Sequence, residues 1–287
     1  MALQLRPLSH SLGAEILDID VTRNFSGPEF AQIRQALLDH GILLFREQNI
    51  SREQHIEFSR RFGALDRHDN LPRDRHPEYP ELLMVTNEPK PSGAPSDSRY
   101  TGRVWHSDMS FTLVPAMGSL LRSFTVPPVG GDTMFANMTM AYDHLSAGMK
   151  KMIADLHGVH SPQRKIVDLS AERQAEDRRL NPPIAQPVVR VHPETGRKAL
   201  YIGEKVKRFA DMSEEESMPL IKYLCEHATR PEFVYRHQWR ANDILMWDNR
   251  CTMHIALADF DETKRRHLER TTVMGTPSGY VLEEAAA

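Results

Sequence analysis

In Trp105-His106-Ser107-Asp108 an imidazole and a carboxylate stand two residues apart. On an extended strand, positions i and i+2 point to the same face, so the pair can grip one ion. This is the only His-x-Asp in a chain with 14 histidines. About one such triplet is expected by chance in a chain of this composition, so the motif alone carries little weight. His254 offers a third donor just after the apolar run from Ile244 to Trp247, which reads as a buried strand. Two imidazoles and one carboxylate make the facial triad that suits Fe(II), with positions left open for a chelating co-substrate and O2. A closed zinc site would want a fourth ligand, preferably a thiolate. The competing reading is of hydrogen-bonded core histidines, with the other histidines as rival ligands.

Beyond His254 the chain reads IALADFDETKRRHLERTTVMG, which sets Arg266 and Arg270 four residues apart. On a strand, Arg266, Leu268 and Arg270 share one face, with the two arginine positions roughly 13 Å apart. That is too far to clamp one small carboxylate and suits two separate anions, one a co-substrate and one a substrate. The planar guanidinium binds carboxylate or sulfonate through two parallel hydrogen bonds and stays charged. The alternative is a surface strand that happens to be basic.

These residues need a scaffold. Ser26 with Glu29 is a capping box, followed by Phe30, Ile33, Leu37 and Leu38 at helical spacing until Gly41. Ser51 with Gln54 opens a second helix carrying Ile56 and Phe58, and Ser213 with Glu216 a third that stops before Pro231. Strand-length apolar runs fall at 42–45, 82–86, 119–125, 187–191, 199–202, 233–237, 244–247 and 271–274. Long irregular stretches from Arg67 to Glu81 and from Ser161 to Ile184 suggest loops that build or cover a site, the second reading as a lid. The expectation is a lidded β-barrel with flanking helices, in a single domain over residues 1–287.

Composition narrows the partners. With 40% hydrophobic and 26% charged residues the 287-residue chain is globular. Its 36 basic and 39 acidic residues are mixed along the sequence, so no nucleic-acid or membrane partner is indicated and a small molecule is the default. The N-terminal MALQLRPLSHSLG lacks a continuous apolar core, and runs such as Ile42 to Phe45 are too short to span a bilayer. Cys225 and Cys251 are too few for a disulfide framework, which fits a cytoplasmic protein.

WHSDMSF (105–111), PPVGGDTMFANM (127–138), HPETGRKALYIGE (192–204), WDNRCTMH (247–254) and RRHLERTTVMG (265–275) together resemble the taurine dioxygenase and 2,4-dichlorophenoxyacetate dioxygenase (TauD/TfdA) family, in order and in separation. The resemblance runs from about Leu8 to Gly275. It implies a mainly β fold with flanking helices, a double-stranded β-helix or jelly roll, with His106, Asp108 and His254 as iron ligands. It implies 2-oxoglutarate and O2 as co-substrates. The keto acid end would chelate iron and the far carboxylate would pair with Arg266 and the Thr133 hydroxyl, giving succinate and CO2. Read from its GGDT context alone, Thr133 is equally a turn-stabilising hydroxyl. Dimers and tetramers are common in the family, and a homo-oligomer is possible here.

The same resemblance puts Arg270 and His68 at positions that contact the substrate's anionic group, although a solvated His68, or His76 in its place, is the competing reading. Taurine enzymes carry an aromatic where Val206 stands and a polar residue where Gly102 stands. The spacing from His254 to the arginines follows the phenoxyacetate branch. The expected reaction is hydroxylation of a small anionic substrate, aryloxyalkanoate-like before taurine, alkylsulfonate or alkyl sulfate, at a carbon next to a heteroatom. Asp108 argues against a halogenating relative, which would need a small residue there. Two other classes stay open: a non-catalytic jelly-roll metal-binding module, and a zinc hydrolase with three protein ligands.

Overall fold

The computed structural model describes residues 3–72, 74–89, 92–93, 96, 98, 102–161, 172 and 179–282. Most of the stretch read as a lid, 162–171 and 173–178, lies outside them. In chain order the described elements are β1 (Leu5–Pro7), β2 (Ala14–Ile16), α1 (Gly27–His40), β3 (Ile42–Phe45), α2 (Arg52–Arg60), β4 (Leu83–Thr86), β5 (Ala116–Thr125), β6 (Thr133–Asn137), α3 (Met138–Asp143), α4 (Ala147–Met152) and β7 (His157–His160). There follow β8 (Ile184–Pro187), β9 (Val189–Val191), β10 (Lys198–Leu200), β11 (Val206–Phe209), α5 (Glu214–Ala228), β12 (Val234–His237), β13 (Ile244–Asp248), β14 (Thr252–Ala256), β15 (His267–Met274) and β16 (Tyr280–Val281).

A seven-stranded sheet ordered β1-β2-β3-β13-β5-β15-β4 is accompanied by a four-stranded sheet β11-β7-β8-β16, a three-stranded sheet β12-β6-β14 and the β9-β10 hairpin. This is the double-stranded β-helix, or jelly roll, with helices on the outside of the large sheet. The continuous apolar runs of β3 and β13 have a simple cause: both faces of their sheet are covered. Ile42, Leu44, Leu245 and Trp247 point inward onto Phe135 of β6. Leu43, Phe45, Ile244 and Met246 point outward onto Ile33, Leu37 and Phe58 of the helices.

The helix signals correspond to real termini. The Ser51 hydroxyl accepts from the Gln54 amide at 3.2 Å, and the Gln54 side chain accepts from the Ser51 amide at 2.8 Å. Ser213 and Glu216 repeat that exchange at 3.2 and 2.9 Å. Gly41 ends α1 in the left-handed region at φ 69°, its amide donating to Leu37 at 2.8 Å. The run at 187–191 is corrected: β8 ends at Pro187 and a separate β9 begins at Val189. No helix among the described residues is long and apolar enough to cross a membrane.

Candidate metal centre and co-substrate pocket

His106 and His254 form an isolated antiparallel bridge, each amide donating to the other's carbonyl at 3.0 and 2.8 Å. His254 stands within β14, a strand that the sequence reading did not resolve from the end of β13. Asp108 is not on a regular strand; it lies in the turn after His106, before Met109 at φ 52°. Its amide donates to Asn249 Oδ1 at 2.9 Å and its Oδ2 accepts from Ser119 Oγ at 2.7 Å. Asn249 in turn donates to Ser119 Oγ and accepts from the Trp247 indole, both at 3.0 Å. With Oδ2 anchored, Oδ1 faces His106 Nε2 at 3.7 Å and His254 Nε2 at 4.0 Å.

The donor set fits Fe(II). The separations are somewhat wider than the roughly 3–3.5 Å of donors seated about 2.1 Å from one ion, so a few tenths of an ångström of closure would seat it. His106 donates Nδ1–H to the Val104 carbonyl at 2.7 Å, which leaves Nε2 as the free lone pair. Burial lowers both histidines, His254 to about 4, so both are neutral and ready for metal at physiological pH. Burial alone would raise the Asp108 carboxyl, but the Arg270 guanidinium and the Ser119 hydroxyl outweigh it and hold the group ionised. A second cluster, His192, Asp248 and Cys251, is a brace: Arg250 donates to both Asp248 oxygens at 2.8 and 2.6 Å, and His192 Nε2 lies 3.0 Å away.

Arg266 is 7% exposed, which removes the surface-strand reading. It sits just ahead of β15, its amide donating to Asn87 Oδ1 at 2.8 Å and its Nε to the Gly131 carbonyl at 3.1 Å. No carboxylate pairs with it among the described residues, and burial lowers it to about 10. A Cβ on Gly131 would come within 3.2 Å of Arg266 Nε, at φ 72°, so the GGDT turn is glycine because the arginine lies against it. Thr133, at the start of β6, accepts from the Trp239 indole at 3.0 Å, leaving its own proton free to donate. A cleft lined by Val85, Asn87, Ser98, Leu257 and Phe260 runs beside Arg266.

Arg270 faces inward from β15 and its Nη1 pairs with Asp108 Oδ1, while its Nε has no hydrogen-bond partner among the described residues. His68 is fully buried at φ 53°, not solvated, with its Nδ1 3.8 Å from Asp66 Oδ2. Burial and then Arg270 lower it to about 4. His76 does not compete: its Nδ1 accepts from the Glu78 and Tyr79 amides at 3.2 Å, closing a turn. Val206 is buried in β11 opposite His160. Sequence reasoning missed Ser119 and Lys205, the latter immediately after a motif it had singled out.

The family model described as "Taurine catabolism dioxygenase TauD, TfdA family" matches residues 4–272. The chain belongs to the TauD/TfdA family. It is 33% identical over 285 residues to an alpha-ketoglutarate-dependent 2,4-dichlorophenoxyacetate dioxygenase of Cupriavidus pinatubonensis (strain JMP 134 / LMG 1197), covering 96% of this chain and 98% of that one. An alkylsulfatase of Acinetobacter baylyi is 33% identical over 282 residues, covering 95% and 85%. The crystal structure of AAD-2 in complex with Mn(II) and N-oxalylglycine superposes with a TM-score of 0.82 at 32% identity, over 98% of this chain and all of that one. This TauD/TfdA member is an Fe(II)- and 2-oxoglutarate-dependent dioxygenase acting on a small molecule. The binding-module and zinc-hydrolase readings fall with that membership.

Proposed function

We propose that the enzyme hydroxylates a small anionic substrate, an aryloxyalkanoate-like carboxylate in first place, at a carbon next to a heteroatom. The observation that carries this is Arg270, a buried, inward-facing cation against Asp108 of the His106, Asp108 and His254 cluster, with neutral His68 beside it. Bound iron with 2-oxoglutarate would supply the reduction of O2, releasing succinate and CO2 and placing one oxygen on a substrate C–H bond. Ser119 and Asn249 hold Asp108 so that one oxygen stays turned to the metal. Arg266 and Thr133 would hold the far carboxylate of 2-oxoglutarate, fixing the direction in which its keto acid end points. Arg270 and His68 would hold the substrate anion, and buried Val206 would bound the pocket, so that one C–H bond is presented. Hydroxylation beside an ether oxygen yields a product that collapses to a carbonyl compound and a phenol.

Alkyl sulfate or alkylsulfonate oxidation is the second reading, favoured by the alkylsulfatase relative and by the absence of an aromatic at Val206. We place the enzyme in the cytoplasm as one domain over residues 1–287, assembled as a homo-oligomer, a dimer or tetramer, without nucleic-acid or membrane partners. Anaerobic titration of Fe(II)-loaded protein with 2-oxoglutarate should develop a weak visible charge-transfer band that Asp108→Ala loses. Phenoxyacetate, 2,4-dichlorophenoxyacetate, hexyl sulfate and taurine are then compared for succinate release. A band without stimulation by any of these anions would sink the substrate reading.

A further inference from the structure

Lys205 stands outside the roles assigned so far. The turn that carries it is pressed against the metal motif: the Glu204 amide donates to the Trp105 carbonyl at 2.9 Å, and a Cβ on Gly203 would come within 2.7 Å of that oxygen. On its other side the Lys205 carbonyl accepts from the Ser161 amide at 3.2 Å, and neighbouring Val206 pairs with His160. The backbone is thereby fixed at both edges, and the half-buried side chain is aimed inward, its ammonium 5.4 Å from the Phe111 ring centre. No acid is paired with it among the described residues.

The surroundings of Lys205 are short of negative charge. His160 is 3% exposed and neither ring nitrogen has a hydrogen-bond partner among the described residues. Its ring centre lies 5.6 Å from that of Tyr201, whose buried hydroxyl lies beside the Arg190 guanidinium and keeps its own proton to donate. Arg190 stacks 4.8 Å over the Tyr201 ring and keeps a buried, unpartnered Nη1. Burial lowers Lys205 to about 8, and of all groups only Asp108 pulls it back up, while Arg270 pushes it further down. Lysine, histidine, tyrosine and arginine thus line one wall with unmet hydrogen-bonding capacity, and Asp108 is already engaged by Arg270. Buried donors left unmade are costly, so the wall is matched to an incoming acceptor and poorly matched to an apolar ring end.

We propose that Lys205, in the turn that leads into β11 and backed by His160 and Tyr201, is a second anion seat besides Arg270, and that the preferred substrate carries a negative group at each end. Dicarboxylates, or carboxylates with a distal sulfate or sulfonate, are the class. This rests on Arg270 as the first anion seat and narrows the substrate reading above, because a purely apolar distal end would leave Lys205 unpaired.

The test is calorimetric binding to anaerobic Fe(II) and 2-oxoglutarate holoenzyme, with two matched pairs of probes: phenoxyacetate against (4-carboxyphenoxy)acetate, and octanoate against suberate. In the wild type, at least one dianion should bind about tenfold tighter than its monoanion partner. K205M should reduce that ratio to within about threefold, and K205R should retain most of it, which separates lost charge from lost packing. The proposal is overturned if neither dianion is preferred, if K205M keeps the preference, or if K205M weakens 2-oxoglutarate itself in place of the discrimination. Preference in the aliphatic pair with no binding of the aryl pair would uphold the second seat and reject the aryloxyalkanoate reading.

Discussion

Replacing Arg266 with methionine keeps the unbranched stem about as far as Nε and removes the guanidinium fork with its charge. Arg266 is buried, steadied by Gly131 and Asn87, and paired with no carboxylate among the described residues. If the far carboxylate of 2-oxoglutarate belongs there, R266M leaves that carboxylate in a desolvated pocket with only the Thr133 hydroxyl. Truncating one partner of such a pair costs about 2–5 kcal/mol. That corresponds to a roughly 30- to several-thousand-fold rise in half-saturation. Thr133→Val removes a neutral donor worth about 0.5–1.5 kcal/mol, and should raise half-saturation about two- to tenfold. The assay is the anaerobic visible titration of Fe(II)-loaded protein, with iron content and far-UV spectra matched between variants. An unchanged midpoint in R266M, with the band still lost in Asp108→Ala, would refute the pairing and move the co-substrate elsewhere.

Gly131→Ala should shift Arg266 as well as strain a left-handed turn, so we expect a loss of about 1–2 kcal/mol in denaturant melts together with weaker 2-oxoglutarate binding. Glu269 is fully buried beneath Arg52 and His267, and E269Q should destabilise by about 3 kcal/mol, the low end for a buried pair because Arg52 reaches solvent; a midpoint within experimental scatter of wild type would contradict this. Burial lowers His55 and His68 to about 4 and His160 to about 3. Between pH 6.5 and 4 the unfolded chain therefore takes up protons that the native protein refuses. The stability from these groups is complete above pH 6.5 and lost as pH falls to 4 for His55 and His68, at roughly 3 kcal/mol each, and to 3 for His160, at roughly 5 kcal/mol. Urea midpoints of the metal-free protein should drop steeply from pH 7 to 5, and a flat profile would show that the native state admits those protons.

The features legible in the sequence were those written in local pattern. Ser51 with Gln54 and Ser213 with Glu216 announce helices because capping is a contact between near neighbours. Strands β3 and β13 announce themselves because both faces are covered, which forces unbroken apolar runs. Strand β14 escaped notice because Thr252-Met-His-Ile-Ala alternates polar and apolar residues over only five positions, and the strand it pairs with, β6, lies far away in sequence. The metal residues could be nominated from type and spacing, but which Asp108 oxygen faces the histidines depends on Ser119 and Asn249, a relation with no local signature. His68 looked solvated because its neighbours are charged; long-range packing buries it. Lys205 carried no signal at all, since a lone lysine in a turn reads as surface until the turn is seen against Trp105.

The reciprocal amide bonds between His106 and His254 have a practical corollary. Because peptide groups fix the distance between these two positions, deleting either imidazole should leave a vacancy of defined size. Free imidazole, azide or a halide supplied in the buffer has a socket to occupy there, and a different donor can be installed by exchange. The chain resembles a connector with interchangeable pins: its housing is set by the backbone, and retuning the chemistry at its centre need not involve rebuilding the barrel.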